Sequence, residues 1–259
     1  MFPRGGPLLD QVKESSFTRL WVKWAFGGAS KVLCQGPAWK KFALDTLNFS
    51  DQNCPIVFNW TATDKLISIG KKKLKIKVNP PLNILYLGWL EEEKGIFDFL
   101  EACSDLKRED KFKILVAGGG SREADAKEFV RKRGIQDITK FVGWVEGVQL
   151  QELLNNSHIL VLPSWAEGFP NAVIEAMASG LAVVVTSVGN VPDILTNESE
   201  ALLVNPKDKA SLMNAIARLV EDENLRHSIA LQGHLFSLEN FAVEKAASRL
   251  EKLIYTVIT

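Results

Sequence analysis

The sequence predicts an α/β protein built on a doubly wound parallel sheet, preceded by an incomplete domain of the same kind. Three observations predict it. From about residue 81 onward, short apolar runs alternate with segments of helical periodicity. Several of those runs end on glycine, at the strand ends where parallel sheets bind ligands. The first 65 residues repeat the alternation with two strands only, too few to close a sheet.

The elements follow in order. "LNILYLGW" (82–89) is a short apolar run ending at glycine and predicts a buried strand. "KGIFDFLEACSDL" (94–106) has helical spacing, with Ile96, Phe97, Leu100 and Cys103 on one face. "FKILVAGGG" (112–120) predicts a second strand, and "READAKEFVRKRG" (122–134) an exposed helix stopped by Gly134. "ITKFVGW", "HILVLPS", "LAVVVTS" and "ALLV" supply four more strands, separated first by the helix "QLQELLNNS" and then by one in "LPSWAEGFPNAVIEAMASG" (162–180). Alternation of this kind means a parallel sheet with helices on both faces. Upstream, "SSFTRLWVKWAFGGA" and "PAWKKFALDTL" read as helices, and "KVLCQG" and "PIVFNW" as strands. The resulting division is a remnant domain at 1–63, a linker at 64–80, a ligand-binding domain at 81–238 and a C-terminal helix at 239–259 that packs back on the body. The remnant should expose an apolar face, with Ile56, Val57 and Phe58 as its candidates. "KKKLKIKVNPP" (71–81) reads as a solvated stretch of the linker, and its charge allows contact with a membrane surface.

Composition excludes several function classes. Lysine plus arginine equals aspartate plus glutamate at 31 each, so nothing favours a nucleic-acid partner. Three cysteines and three histidines show no metal-ligand spacing and read as structural. No signal core or membrane-spanning run occurs, so a cytoplasmic protein is expected, with a peripheral position at the inner membrane face allowed by the basic run.

The stretch 162–180 carries the chemistry. A helix starting near Pro170 or Asn171 presents free N–H groups at the positive end of its dipole, a place for a diphosphate. Proline suits that first turn because it lacks an N–H. Gly168 leaves the backbone open to a ligand. Glu175, one turn into the helix, can accept from a ribose diol. Glu167, before the helix, can accept from the hydroxyls of a second sugar. Either acid alone reads as a helix-start charge or a loop residue; together, at the end of a buried strand, they suit a nucleotide-sugar.

The strings "LGWLEEEKG", "LVAGGGS", "FVGWV", "LPSWAEGFPNAVIEAMASGLAVVVT" and "GNVPDIL" closely resemble glycosyltransferase family 4, retaining enzymes of the GT-B fold with two facing Rossmann-like domains. The resemblance is strong from about Asn83 to Val220 and implies transfer of a hexosyl group from a nucleotide-diphosphate sugar to a saccharide or lipid-linked acceptor, in polysaccharide or glycoconjugate biosynthesis. It further implies that Lys94 contacts the donor diphosphate above Gly88. The backbone of Val142, Gly143 and Trp144 would hold the base and Glu175 the ribose. Glu167 would be the catalytic carboxylate at the hexose, and amides from Phe169 through Asn171 to Ala172 would face sugar and phosphate. No cofactor or metal is implied. Two departures stand out. Trp89 occupies a position where the family commonly has arginine; it reads equally as a packed aromatic or a stacking group. The family's acceptor-binding domain is represented only by its last part, so the chain is expected to need a missing N-terminal domain or partner chain for turnover. A catalytically silent nucleotide-sugar-binding module is the alternative.

Overall fold

The computed structural model describes residues 16–106 and 110–258. Its centre is a six-stranded, all-parallel sheet in the order β3-β2-β1-β4-β5-β6. The strands are β1 (Leu82–Leu87), β2 (Phe112–Ala117), β3 (Thr139–Gly143), β4 (Ile159–Leu162), β5 (Ala182–Thr186) and β6 (Leu202–Val204). β1 pairs with β2 along its full length, Leu82 opposite Phe112 through Leu87 opposite Ala117, and with β4 on its other side. The chain therefore runs outward from β1 to β3, returns across β1, and builds outward again from β4. That reversal makes the carboxyl ends of β1 and β4 the switch point where open α/β sheets bind ligands. The inner strands read as unbroken apolar runs because both faces are covered; every residue of β4 and β5 is buried.

The covering helices of the sheet are α4 (Ile96–Asp105), α5 (Glu123–Arg133), α6 (Gly147–Asn156), α7 (Asn171–Ala178), the short α8 (Val191–Ile194), α9 (Lys209–Glu221) and α10 (Glu223–Asn240), with α11 (Val243–Ile258) after them. Their ends carry ordinary chemistry. Gly134 closes α5 in the left-handed region, and Asp208 and Asp222 cap α9 and α10 through the amides of Ser211 and Leu225. α4 buries Ile96, Phe99, Leu100 and Cys103. Phe97, expected on that face, lies at its edge against Phe129.

Upstream lie α1 (Ser16–Phe26), α2 (Pro37–Asp45) and α3 (Asp64–Lys73). The two expected strands reduce to one parallel bridge, Cys34 with Ile56. The segments are extended and bonded, Cys34 N–H to Pro55 O at 2.9 Å and Val57 N–H to Cys34 O at 2.8 Å, but among the described residues they find no further strand to make a ladder. Ile56, Val57 and Phe58 do not form an exposed face. Val57 is buried, Ile56 packs on a small core around Trp39, and Phe58 meets Phe241 edge-on. The exposed apolar side chains of this region are Phe17, Leu20, Trp21 and Trp24 on α1.

The stretch 64–80 is not a solvated linker throughout. Its first part is α3, capped by Thr63 and burying Leu66, Ile67 and Gly70. Gly70 lies where a Cβ would stand 2.4 Å from the carbonyl oxygen of Ala178, so only glycine lets α3 meet the end of α7. Lys73 donates to the carbonyl oxygens of Leu154 and Ser157 at the end of α6. Its burial pulls the ammonium pKa down to about 7.

Candidate functional site

The switch point opens into a pocket of ≈ 410 Å³. Its floor is the ends of β1, β2 and β4, at Gly88, Gly118 and Leu162; its walls come from the loops after β1 and β3 and from the first turn of α7. Lys94, Glu167 and Glu175 line it, as do Asn171 and Ala172.

The loop after β1 is fixed from several sides. The buried Tyr86 hydroxyl lies 2.8 Å from Trp89 O and 3.1 Å from Lys94 O, so it can donate to either and holds the turn between them. The Glu93 carbonyl accepts from Trp165 N–H at 2.7 Å, which ties this loop to the one after β4. Gly95 sits at φ +72, and a Cβ there would stand 2.2 Å from Pro163 O. Only glycine follows Lys94 without pushing the loops apart. Lys94 thereby reaches Glu167, with Nζ donating to Oε1 at 2.8 Å.

Glu167 is held by backbone as well. Gly189, at φ +58, would place a Cβ 2.0 Å from Glu167 O, and Asn190 N–H donates to Gly168 O at 2.8 Å. The "GNVPDIL" string therefore braces the turn that carries the acid. α7 then starts at Asn171 with Pro170 as a cap residue that has no side-chain hydrogen bond to give. Val173 N–H donates to Pro170 O at 3.1 Å, while the amides of Asn171 and Ala172 receive no capping side chain. Glu175, one turn on, lies mostly buried, and burial raises its carboxyl pKa to about 7.

The expected residues divide as follows. Gly88, Lys94, Trp144, Glu167, Asn171, Ala172 and Glu175 meet at this pocket. Val142 lines a different cavity, beside Leu115 and Lys140. The Gly143 carbonyl accepts from Gly118 N–H at 2.8 Å and joins β3 to β2. Gly168 and Phe169 are not among the lining residues, and Phe169 packs against Phe241 at 5.3 Å between centroids. Trp89 is not packed in the core. It is 54% exposed and stands against Trp144, itself 58% exposed, at a centroid separation of 5.0 Å.

One residue escaped sequence reasoning. Asn59, from the upstream region, donates to Asn171 Oδ1 at 2.8 Å and to Phe169 O at 3.3 Å, while accepting from Gln35 Nε2 at 2.9 Å. It fixes the start of α7 from outside the sheet. An asparagine closing the apolar run "PIVFN" was the only available signal.

A second cavity, of ≈ 490 Å³, lies at the opposite pole, beside Lys73, His158 and Arg226. Its buried cations serve helix ends: Lys73 at α6, and Arg226 at α9 through the carbonyls of Leu219 and Val220. His158 accepts from Asn83 N–H through Nδ1, and burial followed by the nearby Lys73 and Arg226 charges lowers its pKa to about 4. That pole is structural. Cys34, Cys54 and Cys103 are all free and buried, and no cluster of metal-ligating side chains occurs among the described residues.

The sequence profile of glycosyl transferases group 1 matches residues 69–234, more than half of the 259-residue chain. The chain belongs to this family. Among its relatives are an uncharacterized glycosyltransferase of Methanocaldococcus jannaschii, MJ1607, 31% identical over 146 residues, and a glycogen synthase of Mycobacterium tuberculosis, 32% identical over 143 residues. The matches cover 56% and 55% of this chain, and 37% and 34% of those proteins. The putative teichuronic acid biosynthesis glycosyltransferase TuaC of Bacillus subtilis is 30% identical over 80% of this chain and 51% of its own length. The chain thus spans about a third to a half of these three curated relatives. Its fold is shared with solved glycosyltransferases of the GT-B type. Sucrose-phosphate synthase of Thermosynechococcus elongatus superposes with a TM-score of 0.81 at 20% identity, over 99% of this chain and 67% of that one. Anabaena HepE, solved with UDP and glucose, gives 0.77 at 18% identity, over 96% and 70%. The chain has no helix long and apolar enough to cross a membrane among its described residues.

Proposed function

We propose that this glycosyltransferase chain holds the donor in a family 4 reaction, the transfer of a hexosyl group from a nucleotide-diphosphate sugar with retention. The observation that supports the reading is one pocket at the sheet's switch point where a cation, an uncapped helix start and two carboxylates in different environments converge. The diphosphate lies at the start of α7, with Lys94 as its charged partner. Glu175 accepts from the ribose. Glu167 faces the hexose, where its carboxylate offsets the positive charge that develops at the anomeric carbon as the diphosphate leaves. HepE has been solved with UDP and glucose and with UDP-glucose, which favours this class of donor.

The Lys94–Glu167 pair gives the reading a mechanistic shape. Lys94 and Glu167 satisfy each other at 2.8 Å. A nucleotide-sugar supplies both with new partners, phosphate for Lys94 and sugar hydroxyls for Glu167. A nucleotide alone satisfies only the lysine and leaves a half-buried carboxylate unpaired, which is costly. The charge on the leaving group is met by Lys94 and the helix start, so the reading needs no metal.

Among the described residues, those lining the pocket run from Leu87 to Glu175. In this proposal the acceptor, a saccharide or lipid-linked sugar, is positioned by groups outside that span, supplied by an N-terminal domain or partner chain. Acceptor positioning accounts for much of the rate of such a reaction, because it makes an encounter of two molecules effectively unimolecular. The silent-module reading follows if no such groups exist.

Calorimetry with UDP-, GDP- and ADP-sugars on the native chain and on Lys94→Ala and Glu175→Ala tests the donor site. Each variant should lose roughly 1.5–3 kcal/mol of binding free energy with the fold intact. Unchanged affinity would place the donor elsewhere. Mass spectrometry of product, with and without an acceptor domain and with and without EDTA, tests transfer, retention and metal independence.

A further inference from the structure

We propose that Trp89 and Trp144 form a two-ring wall on which the donor's nucleobase stacks, and that in this chain the base outweighs the diphosphate in donor recognition. The inference rests on the donor reading above and deepens it.

The two indoles come from strands that are not neighbours. Trp89 follows Gly88 at the end of β1, and Trp144 follows Gly143 at the end of β3; β2 lies between them. Adjacent strands stand about 4.7–4.9 Å apart, so the two backbones are separated by roughly twice that. The side chains meet across the gap at 5.0 Å between centroids and 45° between planes. The chain after β2 continues as Gly118, Gly119 and Gly120, so the loop between them carries no side chain. The backbones of both are anchored: the Tyr86 hydroxyl holds Trp89 O, and Gly143 O accepts from Gly118 N–H. The pair is therefore held by its supports while more than half of each side chain remains open to solvent. Two large apolar groups left exposed at a pocket mouth mark a binding surface. Beside them the pocket is walled by Val145, Leu150 and Leu87, apolar groups that suit a flat ring and offer nothing to a phosphate.

Charge points the same way. Among the described residues lining the pocket, Lys94 is the one cation, against the carboxyls of Glu167 and Glu175, and it is already paired with Glu167. A tryptophan at position 89 adds no charge. A diphosphate thus meets one shared ammonium and a helix start, whereas the base meets two preorganised aromatic faces. Stacking on such a face tolerates any base, and contributes roughly 10- to 100-fold in affinity.

The test is titration of the full chain with uridine, UMP, UDP, the guanosine and adenosine series and inorganic pyrophosphate, followed by calorimetry and tryptophan fluorescence. For the preferred base, the monophosphate should bind within roughly 10-fold of the diphosphate, and pyrophosphate at least roughly 100-fold more weakly. Binding should quench fluorescence, and the quench should fall in both Trp89→Phe and Trp144→Phe. Trp144→Ala and Trp89→Ala should each weaken the nucleotide and the nucleoside by the same factor of roughly 10 or more. Trp89→Arg should weaken the nucleoside, tighten pyrophosphate and steepen the salt dependence. If both alanine variants bind nucleotide like the native chain while Lys94→Ala and Glu175→Ala do not, the stacking wall is refuted and the donor site stands. If pyrophosphate competes as well as the diphosphate, the ranking of base over phosphate is overturned. If no nucleotide of the uridine, guanosine or adenosine series binds, both the wall and the donor reading fall.

Discussion

The sheet region, residues 82–204, and the upstream region, residues 16–57, face the same packing problem with different resources. In the first, every inner strand has a neighbour on each side, and helices cover both faces; β4 and β5 are buried at every position. In the second, two extended segments share a single bridge, and the small core is Val22, Phe26, Val32, Cys34, Trp39, Ala43 and Cys54. α1 meanwhile turns Phe17, Leu20, Trp21 and Trp24 to solvent. A strand is stabilised by the ladder on each side and the layer on each face, so an apolar run with one partner residue gains little from its sequence pattern. The difference also bears on the site. The donor pocket is built on the well-covered sheet, yet Asn59, which steadies the start of α7, comes from just beyond the poorly covered segment.

The largest expected effect separates the two cores. Leu160→Ala, in the middle of β4, should cost about 2–5 kcal/mol of global stability. Trp39→Ala should leave the main unfolding transition of the sheet in place and abolish order only upstream. A chemical denaturation series followed by tryptophan fluorescence and far-ultraviolet dichroism measures both. Equal shifts of a single transition would show that the regions unfold as one. Hydrogen exchange sharpens the contrast next. Amides of β1, β4 and β5 should open only with global unfolding, and those of residues 31–57 at least ~100-fold more often through local opening. Uniform protection would break the comparison.

A smaller effect concerns the site on the sheet. Burial raises the folded-state pKa of Glu175 to about 7 from 4.5. The folded state therefore favours the protonated acid. Its contribution to stability is full below about pH 4.5 and is lost as the pH rises through 7. Glu175→Gln should match the native chain near pH 4 and exceed it by roughly 1–3 kcal/mol at pH 8, the lower part of that range applying because the side chain borders an open pocket. A melting-temperature gap independent of pH would contradict this origin. The smallest effect on stability should come from Phe17→Ser combined with Trp24→Ser. These exposed positions should change stability by less than about 0.5 kcal/mol while reducing self-association in sedimentation velocity. Loss of the fold would show that the α1 face packs against the rest of the chain.

Residues 82–204 were legible because their signals are local and agree. Apolar runs of strand length, glycine stops and helix starts recur in the right order, and "LPSWAEGFPNAVIEAMASG" places two acids around a helix start at a strand end. From those residues alone came the doubly wound parallel sheet, the α7 start and the two acids Glu167 and Glu175, whereas Lys94 was implied by the resemblance to glycosyltransferase family 4. Other features depend on distance, which pattern does not encode. "KVLCQG" and "PIVFNW" have strand composition, but a ladder needs partners that only the assembled fold can provide. Asp64–Lys73 reads as charged linker until α6 and α7 supply the carbonyls and the apolar surface it covers. Val142 and Gly143 share a string with Trp144, yet the pleat and the Gly118 bond send them elsewhere. The pairing of Lys94 with Glu167 across 73 residues, and the contact of Trp89 with Trp144 from strands on either side of β2, were decided by tertiary structure, since strand order sets which loop ends stand side by side.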